Sequence, residues 1–153
     1  MKTFSLSIFS IATIISCLTF SSCKEKTPQF VIEGKISDAD TTMLYLERRS
    51  LTETKTIDSV KLDKDGTFKF KEPSLNYSEF YLLRINGQSI NLVIDSTETI
   101  TVNAPKASFA RDYTIEGSNG SIKIKDVVLA QNKLSQNIRD LKKKYDNKEI
   151  AQE

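Results

Sequence analysis

Two cysteines are the only thiols of this 153-residue chain, Cys17 and Cys23, and both lie at its very start. The chain has no histidine and no tryptophan. Lack of histidine removes the usual general base at neutral pH and the commonest metal ligand. It excludes a Ser-His or Cys-His triad and leaves no set of residues from which to expect a catalytic, metal or cofactor site. The remaining chemistry-bearing clusters read as structure. Asp63 and Asp65 before Gly66 resemble part of a calcium loop, but Lys61 stands where an oxygen ligand is needed, so a tight turn is expected. Lys142-Lys143-Lys144 could meet a phosphate, but Asp140 and Asp146 flank the run, which suits a solvated helix end. Asp40-Thr41-Thr42, Asp58-Ser59-Val60 and Asp95-Ser96-Thr97 fit a short pattern used for O-glycosylation in some periplasms. Tyr45, Tyr77, Phe80, Tyr81 and Phe109 could line a ligand groove, or could be core in a domain without Trp.

The chemistry that the cysteines do support is lipidation. Lys2 precedes an apolar stretch from Phe4 to Phe20, then Ser21, Ser22 and Cys23. A positive start, an apolar core and small residues before the cut describe an export signal. A cysteine at the cut can take a diacylglycerol on its thiol. Residues 1–22 are therefore expected to be a lipoprotein signal peptide, with Cys23 the lipidated residue and 23–28 a polar tether. Ile14-Ile15-Ser16-Cys17 is the competing site, and an uncleaved anchor is the alternative to processing. Two or three acyl chains hold a protein on a membrane stably. The expected location is the cell envelope, at the outer membrane, through that lipid anchor.

The rest of the chain must supply a fold. Hydrophobic residues make up 39% and charged residues 27%, as in a globular domain. The net charge of +2, with both signs mixed, argues against a nucleic-acid partner. Phe30, Ile32, Gly34 and Ile36 alternate with polar positions, and Phe68 and Phe70 do the same after the Asp63–Gly66 turn. Asn86-Gly87 is a hairpin turn signal between two apolar runs. Further strands are expected from Met43, Thr54, Thr99 and Asp112. The expected class is mainly β, an antiparallel sandwich or barrel-like domain over 29–117.

After Gly117 the period changes. Ser118, Asn119 and Ser121 are N-cap candidates for an amphipathic connecting helix over 118–153. Its apolar stripe runs Ile124, Val127, Leu134, Ile138, Leu141 and Tyr145, with Gln131 in the series. The first half, through about Leu134, is expected to dock on the β-domain and the second half to be freer.

Taken in order, Phe30-Val31-Ile32-Glu33-Gly34-Lys35-Ile36, Ile57-Asp58-Ser59-Val60, Asp65-Gly66-Thr67-Phe68-Lys69-Phe70, Ile100-Thr101-Val102 and Ile115-Glu116-Gly117-Ser118 carry a family likeness. The chain resembles the β-rich domain of unknown function that precedes thioredoxin-like domains in Gram-negative envelope lipoproteins. The likeness spans roughly residues 29–134. In relatives the segment at Asp95–Glu98 tends to be a Pro-Gly turn, which this chain lacks. The resemblance implies a non-catalytic accessory or interaction module, with a thioredoxin-like domain or protein as partner. No residue here matches the catalytic cysteines of those longer proteins. The alternative is a free-standing ligand- or glycan-binding surface lipoprotein.

Overall fold

The computed structural model describes residues 27–75 and 77–147. Cys17, Cys23 and the expected signal peptide lie outside the described residues. Among these residues eight strands form two four-stranded sheets. They are β1 (Gln29–Ser37), β2 (Met43–Arg49), β3 (Thr54–Lys61), β4 (Thr67–Pro73), β5 (Glu79–Ile85), β6 (Gln88–Ile94), β7 (Thr99–Pro105) and β8 (Thr114–Glu116). The first sheet has the order β4-β1-β7-β8 and the second β3-β2-β5-β6. A 3-10 turn covers Lys106–Ser108, and one helix, α1, covers Asn119–Asp146. The described residues are thus mainly β, a sandwich followed by a single α-helix.

The alternation in β1 does what its period demands. Phe30, Ile32 and Ile36 are fully buried, and Phe68 and Phe70 of β4 join them from the neighbouring strand. Leu44 and Leu46 of β2, Leu83 and Ile85 of β5, and Ile90 and Leu92 of β6 close the core from the second sheet. Each such side chain contributes roughly 1.5 to 3 kcal/mol on burial. Gly34 occupies an even position of β1, but its neighbour on β7 comes too near for a side chain. A Cβ there would overlap the Val102 carbonyl.

One pairing departs from the antiparallel expectation. β1 and β7 run parallel, in register from Val31↔Thr99 to Ser37↔Pro105. The other pairs are antiparallel. A parallel pair needs a long crossover. Here the chain supplies it by visiting the second sheet twice between β1 and β7.

The sandwich has two distinct ends. At one, β1 begins, Gln29 faces Pro73, and the Ser74 N–H donates to the Pro28 carbonyl at 2.8 Å. The β2–β3 loop, the β4–β5 connection and the β6–β7 turn share this end, because Arg49 pairs with Phe80 and the Val31 N–H donates to the Glu98 carbonyl. At the other end are the Asp63–Gly66 and Asn86–Gly87 turns and the 3-10 turn; Gln88 ties the last two together, its side chain donating to the Lys106 carbonyl and accepting from the Ala110 N–H.

α1 starts at the first end and climbs along β6 and β8. Ser118 caps it, accepting from the Ser121 N–H at 3.3 Å. The Cα of Gly120 sits where a Cβ would come within 3.2 Å of the Val93 side chain. Lys125 lies over the Tyr113 ring at 5.3 Å, and Leu129 packs on the core. Docking stops there. Leu134 is 60% exposed, and every described residue from Ala130 onward is exposed. Docking through about Leu134 is therefore corrected to docking through Leu129. The reason is length: a helix rises about 1.5 Å per residue, and the seven residues of β6 span only about 20 Å, so the later turns of the 28-residue helix have no strand to face. The docked side, Gly120, Ser121, Ile124, Lys125, Val128 and Leu129, also shares only Ile124 with the expected apolar stripe.

Candidate functional site

Among the described residues no group of three or more His, Cys, Asp or Glu side chains could hold a metal ion. The Asp63 carboxylate serves its turn, accepting from the N–H groups of Asp65 and Gly66 at 3.0 and 3.1 Å. The aromatic residues that could have lined one groove are dispersed. Tyr81 and Phe109 are core, Tyr45 and Phe80 lie on the outer face of the second sheet, and Tyr77 is in the β4–β5 connection. The three Asp-Ser/Thr triplets are dispersed too, with Thr41, Ser59 and Ser96 all exposed. Lys142, Lys143 and Lys144 stand on the last exposed turns of α1.

A compact polar cluster was not visible in the sequence. It sits on the outer face of the second sheet. Glu47 is only 7% exposed, yet it points away from the core. Arg84 reaches it diagonally across β2 and β5, with Nη2 and Nε at 2.6 and 2.7 Å from Oε1. The Thr56 hydroxyl donates to the same oxygen at 3.3 Å, and the guanidinium lies 4.5 Å over the Tyr45 ring. The hydrogen bond to Glu47 raises the Arg84 pKa and keeps it charged. This set is satisfied within itself, and it braces the sheet without a free nucleophile or base. A shift in register at Leu46/Glu47 places Thr56 opposite Glu47. The only sequence trace is the alternation Leu44-Tyr45-Leu46-Glu47, which gives the face but not the burial.

Two of the open surfaces bear on function. A groove of about 460 Å³ on the first sheet is lined by Lys35, Ser37, Asn103, Asp112 and Thr114 among others. The second is α1 beyond Leu129. There Leu134, Ile138, Leu141 and Tyr145 are 60, 57, 56 and 45% exposed, and Val127 just before them is 51% exposed. They follow the seven-residue spacing of a coiled-coil seam, with Gln131 at one seam position. Ser121 explains why this stripe can project. Its hydroxyl accepts from the Val93 N–H at 3.0 Å and donates to the Val93 carbonyl at 2.9 Å, and the Ser118 hydroxyl also reaches that carbonyl. Val93 lies on the free side of edge strand β6, so the two serines cover an edge that would otherwise be open.

Burial governs the shifted acids. It raises Glu72, with the Asp58 charge adding to the effect. It raises Tyr81 and Tyr113, with Asp126 of α1 acting on Tyr113 in the same direction and Arg48 opposing at Tyr81.

No curated protein matches the chain. Among solved structures it is similar to a crystal structure of (S)-allantoin synthase at 12% identity and a TM-score of 0.39. That match covers 61% of this chain and 45% of the other, so the chain spans less than half of that protein's length, and a likeness at this level carries no functional argument. A family model for a domain of unknown function, DUF4369, matches residues 30–138, which takes in the sandwich and most of α1. The chain belongs to the DUF4369 family of domains of unknown function.

Proposed function

We propose that the protein is an envelope lipoprotein, anchored to the membrane through Cys23, whose sandwich is a non-catalytic interaction module for a thiol-disulfide oxidoreductase-like partner. The observation that carries this reading is the exposed seam of α1 on a helix whose start is fixed to the sandwich. A rigid arm presenting Leu134, Ile138, Leu141 and Tyr145 forgoes apolar burial that a partner surface would recover. The family resemblance supplies the class of partner, a thioredoxin-like domain or protein. The reaction would be the partner's, because thiol chemistry needs a thiolate and none is present from Lys24 to Glu153. A photo-crosslinking residue at Ile138 in the cell-expressed lipoprotein tests this. The expected adduct contains a thioredoxin-like protein. An Ile138 probe that captures only other copies of this chain, while a probe in the Asn103 groove captures a glycan, would replace the reading. The groove at Lys35, Asn103, Ala104, Pro105, Asp112 and Thr114 favours that second reading, a free-standing ligand- or glycan-binding lipoprotein, since it pairs a mainly apolar surface with a few amide, hydroxyl and charged groups, as small-molecule sites do.

A further inference from the structure

We propose that the end of the sandwich where β1 begins rests on the lipid bilayer, with Leu51, Tyr77 and Phe80 in contact with it. This rests on the reading of Cys23 as the lipidated residue. Among the described residues, the large apolar side chains left exposed fall into two groups. One is the α1 set. The other is Leu51, Tyr77 and Phe80, at 106, 60 and 49% exposure. All three belong to the same end. Leu51 is in the β2–β3 loop, Tyr77 is in the β4–β5 connection, and Phe80 pairs with Arg49 at the base of that loop. Leu51 and Phe80 line a common groove of about 340 Å³ with Arg49, Ser50, Ser78, Glu79 and Asn91.

The chain enters the sandwich at this end too. Pro28 is already tied to Ser74 there. From Cys23 to Pro28 the fully extended backbone spans at most roughly 18 Å. A strand of this sandwich rises about 3.3 Å per residue, so the tether is shorter than the sandwich is tall. A lipid on Cys23 therefore holds the Leu51 end at the bilayer and keeps the far turns and the α1 arm, which leaves at the opposite end, pointing away from it. Tyr77 is of the type that settles at the membrane–water boundary, with its ring inward and its hydroxyl wet. In the groove Arg49 is offset by Glu79, so the contact is apolar rather than electrostatic. It needs no anionic lipid and resists salt. No helix among the described residues is long and apolar enough to cross a membrane. The contact is a shallow one, added to the acyl anchor.

The test uses the full lipoprotein, purified with its lipid and reconstituted into phosphatidylcholine vesicles that contain acyl-brominated lipid. A fluorophore is attached in turn at Leu51→Cys, Tyr77→Cys and, at the far hairpin, Lys64→Cys. These positions are exposed, so the variants should fold. Loss of emission at positions 51 and 77, unchanged in high salt, with none at 64, is the expected result. A protein carrying diacylglyceryl-Cys23 by mass spectrometry but unquenched at 51 and 77 overturns the bilayer contact and leaves the anchor standing. A label at 51 shielded from aqueous iodide yet unquenched by brominated lipid means that a protein surface covers this end, and also overturns it. A chain without lipid on Cys23 that does not stay with the vesicles overturns the anchor reading, and the proposal with it.

Discussion

The two stretches of α1 differ in a way that apolar content does not anticipate. The stretch up to Leu129 is held by hydroxyl-to-backbone bonds from Ser118 and Ser121 to Val93, by a cation over Tyr113 and by one leucine on the core. The stretch after it carries Leu134, Ile138, Leu141 and Tyr145 and is exposed at every described residue. Docking follows the unpaired backbone groups of an edge strand and the length of that strand. A stripe of leucine and isoleucine has no effect on docking once the helix has run past the sheet.

Removing the two stretches separately should separate their roles. Truncation after Gly117 removes the Ser121 bonds and the Leu129 contact together. At about 1 kcal/mol for each hydrogen bond and 1.5 or more for the leucine, it should lower the melting temperature by more than about 10 °C, at some 4 to 8 °C per kcal/mol. Truncation after Ala130 should shift it by no more than about 2 °C, as surface changes do. Equal shifts in the two scans would dissolve the distinction.

Ser121→Ala asks for less. It adds no volume at a buried residue but leaves the Val93 N–H without its partner. It should cost about 1 to 3 kcal/mol in denaturant unfolding. Ser135→Ala, the same change on the exposed stretch, should stay within about 0.5 kcal/mol. If Ser121→Ala is as mild, the serine is not what fixes the helix.

How far these statements were legible in the sequence varies by element. The strand faces were legible, because a buried row at period 2 leaves a trace such as Phe30, Ile32 and Ile36. So were the hairpin at Asn86-Gly87, where both residues take positive φ of 45 and 79°, and the cap at Ser118. The parallel pairing of β1 with β7 was not, since alternation is the same whichever way a neighbour runs. Nor was the Glu47–Arg84 brace, which depends on a register shift and a diagonal reach between strands far apart in sequence. Ser121 looked like one of several cap candidates; its bond to Val93 exists only because β6 became an edge. The extent of docking was not legible either, because periodicity shows which side of a helix is apolar and says nothing of how long the opposing surface is.

The smallest expected effect concerns pH. Burial, then Asp126 of the docked stretch, raise the Tyr113 phenol above its ordinary value of 10.0. The native state thus holds this proton more tightly than the unfolded chain does. Stability from this source is intact below pH 10 and declines as pH rises past it. Tyr113→Phe should therefore gain stability relative to wild type between pH 9 and pH 11. Asp126→Asn should reduce that gap, whereas Asp140→Asn on the exposed stretch should not. Chemical denaturation across that range checks the ordering.

Amide hydrogen exchange along α1 of the intact chain, at concentrations where it is monomeric, tests the central claim most directly. Slow exchange reports amides that open only with the domain, and fast exchange reports those that open locally. The account predicts that amides up to about Leu129 exchange as slowly as those of β6, with a step to rapid exchange over residues 131–146. Uniform protection through Tyr145, or equally rapid exchange from Ile122 onward, would contradict it.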